Sequence, residues 1–128
     1  MRPLQWALWW VLGGAALFGL IVYVCLRPSS GMGPWFPQID KLQHAGAFFV
    51  LSFWFFALVE RRAYLRVTLV MIAVGAGIEV AQGVMALGRS AEWLDLFADV
   101  AGVLMALGVS LLRRDSWFAK VETWLQPT

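Results

Sequence analysis

The sequence predicts an all-α membrane protein in which four transmembrane helices form a compact bundle, and three observations carry that expectation. Of the 128 residues, 61% are hydrophobic and 14% charged, where a soluble domain has roughly 45 to 50% and 25%. The mean hydropathy is +0.73. The apolar residues gather into four stretches, 6–26, 42–59, 65–87 and 94–112, each close to the ~20 residues that cross ~30 Å of hydrocarbon. The second needs part of its flank to reach that length. Four spans take up nearly the whole chain, so residues 1–128 are expected to form a single transmembrane domain with a short tail, 113–128.

The first stretch follows Arg2, as the apolar region of a signal peptide would. It is longer than the ~7 to 15 residues of such a region and no A-x-A-like site follows it, so it reads as a span. Val24 is too bulky for "VYVC" to be a lipoprotein box. With no charged residue inside it, this helix is expected to be lipid-facing support, touching its neighbours at Gly13 and Gly14. One cysteine, Cys25, excludes an intrachain disulfide and a Cys-rich metal site. "RPSSGMGPWFPQ", residues 27–38, reads as a loop whose Trp35 and Phe36 suit the membrane interface.

The second stretch opens with Asp40, Lys41 and His44 and continues in an aromatic run, "FFVLSFWFF", expected to face lipid. The third, "LVMIAVGAGIEVAQGVMAL", encloses Glu79 and Gln82. The fourth carries Asp95 and Asp99 and then small residues. The tail "SWFAKVETWLQ", 116–126, is amphipathic, with Trp117, Phe118, Val121, Trp124 and Leu125 suited to the inner membrane surface.

Charge sets the orientation. Arg2, Arg61, Arg62, Arg66, Arg113, Arg114 and Lys120 lie on one side and Arg27, Lys41 and Arg89 on the other, seven against three. By the positive-inside rule both termini are cytoplasmic, and Arg61 is expected to do no more than add loop charge. The net charge of +2 is spread over short loops and does not point to nucleic acid.

This topology collects the unusual polar residues towards the outer side. At 100° per residue, Ile72, Gly75, Ala76, Glu79, Gln82, Gly83 and Ala86 share one face of the third helix, with Val80 and Val84 on or towards the opposite side. Glu92, Asp95, Asp99, Gly102, Ala106 and Ser110 form a stripe on the fourth. Both stripes continue as small residues, which let helices approach closely in lipid. Asp40 and His44 share a face of the second helix with Leu51 and Phe55. Gln82 and Asp99 are expected at similar depth and in contact, with Glu79 deeper.

These residues resemble a known pattern. "DKLQHAGAFFVLSF" (40–53), "IEVAQG" (78–83) and "GRSAEWLDLFADVAGVLMALG" (88–108) are similar in type and order to the VanZ-like family of small bacterial membrane proteins. The resemblance covers about residues 38–110 and marks Asp40, Lys41, His44, Glu79, Gln82, Arg89, Asp95 and Asp99. It implies a multi-pass protein of the bacterial inner membrane, connected with the cell envelope and with glycopeptide susceptibility, and it brings no settled reaction. Asp99 departs from the family, which often has Asn there, and adds a negative charge.

The chemistry of the set allows several roles. His44 with Asp40, Glu79 and Asp95 has the make-up of a proton-handling or catalytic group. Lys41, Gln82, Arg89 and Asp99 are expected to bind ligand, with Lys41 and Arg89 holding phosphate. Asp40, His44, Glu79, Asp95 and Asp99 together are mostly oxygen, a set better suited to Mg²⁺ or Mn²⁺ than to structural Zn²⁺. Glu79 is either a staple pairing with Arg89 or His44, or part of a working site. Interhelical hydrogen bonds in membranes average about 0.6 kcal/mol, below the ~2.5 to 3.5 kcal/mol that an acid costs at a span's centre, which favours the working site. The expected partner is a membrane lipid or lipid-linked envelope precursor. The rival readings are a proton-coupled exporter acting as a homodimer and a scaffold without a ligand.

The charge bias makes a prediction. In a Cys25→Ser background, Ser30→Cys is labelled by a membrane-impermeant thiol reagent added outside cells, and Ser116→Cys is not. The opposite labelling would invert the topology.

Overall fold

An apolar segment in hydrocarbon has no water to satisfy its backbone, so a continuous span folds as a helix. The computed structural model describes residues 3–27, 39–85, 92–113 and 115–126. It contains α1 (Ala7–Leu26), α2 (Ile39–Leu58), α3 (Tyr64–Met85), α4 (Trp93–Leu112) and α5 (Trp117–Leu125), with a 3₁₀ turn, Arg61–Ala63, between α2 and α3. The first four are long and apolar enough to cross a membrane. Their bounds agree with the four sequence stretches to within three residues. The loop with Trp35 and Phe36, and Ala86 and Arg89, lie outside the described residues.

α2 is the central helix. It touches α1, α3, α4 and α5, and its interface with α4 is the most extensive in the bundle. The aromatic run on α2 is accordingly not a lipid-facing surface: Phe48 and Phe56 are fully buried, with Leu51 and Ser52 between them. Trp54 lies on α1, where a Cβ on Gly13 would come within 2.9 Å of the indole. Here the two glycines act as contact points, as expected. The rest of α1 is largely open, Leu8, Trp9, Leu20 and Tyr23 being well exposed.

α5 also differs from expectation. Phe118 does not face lipid; it is fully buried, stacked on Trp10 at 4.2 Å between ring centroids. Trp124 and Leu125 remain exposed and available to the interface. One acid ties this helix to α1. Glu122 accepts hydrogen bonds from the Gln5 and Trp6 amides, both at 2.9 Å, and from the Trp10 indole at 2.8 Å. The first amides of a helix have no intrahelical partner and carry positive partial charge, so a carboxylate from elsewhere in the chain caps α1.

The opposite end of α4 is capped by Arg61, whose Nη2 donates to the carbonyls of Leu111 and Arg113 at 2.8 and 2.7 Å. Arg61 is therefore more than loop charge, because the last carbonyls of a helix need donors. Arg62, by contrast, pairs with Glu60 at the surface.

Burial works against the charge on Glu122, but the three donors outweigh it and hold the carboxyl below the usual glutamate range. A lowered folded pKa means that the stabilisation is full above the unfolded pKa and is lost as pH falls through the folded one. Glu122→Ala should lower stability by about 2 kcal/mol through stranded donors. Unfolding in detergent across acid pH should show the wild type losing this increment, while Glu122→Ala lacks that step; matching profiles would dismiss the cap.

Candidate functional site

The polar end of the bundle is built where α2, α3 and α4 meet. α2 and α4 run parallel, and contacts between them advance together: Lys41 with Asp95, His44 with Asp99, Ala45 with Gly102. The acidic stripe of α4 thus lies along the face of α2 that carries Lys41 and His44.

His44 Nδ1 lies 2.9 Å from Asp99 Oδ1, and both side chains are buried. An ionised carboxylate only accepts, so Nδ1 carries the proton and donates. In a neutral ring this leaves the lone pair on Nε2, as a base there needs; with the ring proton on Nε2 instead, Nδ1 is the free donor atom beside Asp99. Gly75 on α3 makes room for Asp99: a Cβ there would sit 3.0 Å from Asp99 Oδ2.

Glu79 reaches from α3 to the start of α4, where its Oε2 accepts the Glu92 amide at 3.0 Å. It caps α4 as Glu122 caps α1. Its expected pairing with Arg89 lies outside the described residues. Among the described residues, Glu79 Oε1, Asp99 Oδ2 and Gln82 Oε1 are buried without a hydrogen-bond partner. Such acceptors are uncommon in folded proteins and call for a cause.

Lys41 occupies the rim. Its ammonium is 3.0 Å from Glu92 and 3.2 Å from Asp95, so two carboxylates already hold the cation expected to bind phosphate. Asp40 stands in the first turn of α2, half-buried. Asp40, His44 and Asp95 offer ligand atoms within 4.8 Å of one another, and so do His44, Glu79 and Asp99.

Gln82 departs from expectation. Its amide donates to the Cys25 carbonyl at 2.7 Å, joining α3 to the last turn of α1. Asp99 instead sits opposite Gly75, seven residues and roughly 10 Å of helical rise from Gln82. That rise separates their depths. Glu92, which closes the rim, and Gly75, which admits Asp99, were not singled out as site residues. Their signals were spacing: Glu92 precedes Asp95 by three residues, and Gly75 precedes Glu79 by four.

No protein-family model, curated protein or solved structure matches this chain. What the site can do follows from its own atoms.

Two cavities flank the cluster. One, of about 160 Å³, lies between α1 and α2 and is lined by Leu20, Val24 and Ala47 with Asp40 and His44. The other, of about 270 Å³, lies between α3 and α4, where Ala76, Val80, Trp93 and Leu96 meet Glu79 and Glu92. Each has apolar walls and polar groups from the same cluster.

The buried pair allows a direct measurement. With chelator present, His44→Leu strands the Asp99 carboxylate in the core and should cost about 3 to 5 kcal/mol, while His44→Leu with Asp99→Leu should recover most of that loss. A double-mutant cycle read by unfolding in mixed micelles checks it. Additive losses would mean that the two side chains are not coupled.

Proposed function

We propose that this chain is a VanZ-like protein of the bacterial inner membrane, with cytoplasmic termini. In this reading it recognises the headgroup of a membrane lipid or lipid-linked envelope precursor at its polar end, with an effect on glycopeptide susceptibility. The observation that carries the reading is the pair of apolar cavities sharing one polar cluster. An apolar wall ending at buried polar groups complements an amphiphile, with chain along the wall and headgroup at the cluster. The two described motif segments that suggested the family, around His44 and Glu79, meet here with Asp99 of the third.

Within that reading the groups divide by position. Lys41, Glu92 and Asp40 form the rim that a headgroup meets first, with the buried Asp95 paired to Lys41 behind it. His44, oriented by Asp99, is the group placed to handle a proton or an ion there, and Glu79 lies beside them. A transporter would place its site near the midplane, whereas Asp40 and Asp95 lie in the first turns of their helices.

Native mass spectrometry of protein extracted in mild detergent tests the proposal. Wild type should retain a lipid of defined mass, Glu79→Gln should lose it while remaining folded, and Arg62→Gln should keep it. Wild type without a defined lipid, or equal retention by every variant, would reject the reading.

A further inference from the structure

Glu79 and Asp99 place two carboxylates in the core of the bundle, 6% and 0% exposed. One oxygen of each is engaged, Glu79 Oε2 by the Glu92 amide and Asp99 Oδ1 by His44. The second oxygen of each has no partner among the described residues. Lys41, a cation at the same end of the bundle, is held at the rim by Glu92 and Asp95. Two buried anions around a neutral imidazole are costly unless positive charge joins them.

We propose that His44, Glu79 and Asp99 form a binding site for one divalent cation, most closely matched to Mn²⁺. Their ligand atoms lie within 4.8 Å of one another and come from α2, α3 and α4, so the ion would join three helices. Two carboxylates and a neutral imidazole carry a charge of −2, which one divalent ion cancels. The ion would take the place of the Nδ1 proton between His44 and Asp99, the neutral ring keeping its proton on Nε2, while the unpaired Glu79 Oε1 supplies oxygen without breaking a hydrogen bond.

The donor set narrows the metal. Carboxylate oxygen suits Mg²⁺, Ca²⁺ and Mn²⁺, while imidazole suits later first-row ions. Mn²⁺ accepts both. The 2.9 Å between His44 Nδ1 and Asp99 Oδ1 is close to the roughly 3.0 Å that separates neighbouring octahedral ligands at ~2.1 Å bonds, and short of the roughly 3.4 Å of a tetrahedral pair. Asp40 and Asp95 lie next to His44 towards the rim and form an acidic entry that concentrates cations. The inference deepens the lipid reading and rests on it for its purpose: a rim and core richer in carboxylate than in cation would receive a phosphate headgroup through the ion.

The test uses the full chain without a polyhistidine tag, stripped with EDTA and titrated with MnCl₂ in detergent. Electron paramagnetic resonance should show one Mn²⁺ bound per chain. His44 is the chain's one histidine, so nitrogen modulation in the electron spin echo of bound Mn²⁺ identifies it as a ligand in the wild type, with no variant needed. Glu79→Gln and Asp99→Asn should each weaken binding by at least about 10-fold, and Arg62→Gln should not. Absence of stoichiometric binding, or bound Mn²⁺ without nitrogen coupling, overturns the site. Lipid retention by the EDTA-treated protein is scored separately. Lipid without Mn²⁺ binding overturns the ion and leaves the lipid reading standing, whereas Mn²⁺ binding without lipid supports the ion and removes the purpose given to it.

Discussion

The contact of α2 with α4 at Gly102 governs the polar end of the molecule. A Cβ at this position would run into the Ala45 carbonyl oxygen and come within 2.9 Å of the Phe49 nitrogen. Both are backbone atoms of a helix, which cannot swing aside as the tip of a long side chain can. A residue with no side chain is what allows the two axes to approach this closely. Because α2 and α4 are parallel, the same contact sets their register. Asp99, three residues before Gly102, comes opposite His44, next to Ala45; one turn further on, Asp95 comes opposite Lys41. Any side chain at Gly102 would part the helices and open those distances together. In the other direction Ala106 continues the seam against Phe56 and Tyr64.

The second organising feature is that helix ends are satisfied by side chains from remote parts of the chain. Glu122 takes the Gln5 and Trp6 amides that lead into α1, Glu79 the amide at the start of α4, Arg61 the last carbonyls of α4, and Gln82 a carbonyl in the last turn of α1. Acids stand at amino ends and a base at a carboxyl end, as the helix dipole requires. These ends lie where hydrocarbon gives way to water, so bulk water satisfies them only in part. Supplying the partners from other helices makes each cap a tertiary contact as well. The cap on α1 fastens α5 beneath Trp10 and Trp54, and so closes the aromatic end of the bundle.

The spans were legible because apolar runs of membrane length have one common solution, and the inward faces of α3 and α4 were legible because buried Gly75, Glu79, Asp95, Asp99 and Gly102 recur at helical spacing. Gathering His44, Glu79 and Asp99 into one cluster followed from that spacing. What did not follow was side-chain destination. Gln82 lies on the expected face, yet whether it met Asp99 or Cys25 depended on a few residues of helix offset that hydropathy does not resolve. The aromatic run on α2 failed for a related reason: lipid and protein interior are equally apolar, so composition cannot tell an outward Phe from Phe48 or Phe56. Arg61 counts the same in a charge tally whether it caps a helix, as here, or pairs at the surface, as Arg62 does with Glu60.

Capping alone does not account for a glutamate at position 79. An acid at the centre of a span costs roughly 2.5 to 3.5 kcal/mol, and somewhat less near an end, while a cap contributes about 1 kcal/mol. A glutamine would accept the Glu92 amide equally well with its carbonyl oxygen. Its amide N–H groups would also be available to unpaired acceptors nearby, Asp99 Oδ2 among them, and the charge would be gone. For packing by itself, then, the amide is the better residue at 79. The carboxylate keeps the cap and leaves a second anionic oxygen close to Asp99 and to the His44 ring, an arrangement that repels itself until positive charge comes between. The energetic disadvantage at position 79 is therefore specific to that second oxygen, and this separates the role of Glu79 in holding α4 from its role beside His44 and Asp99.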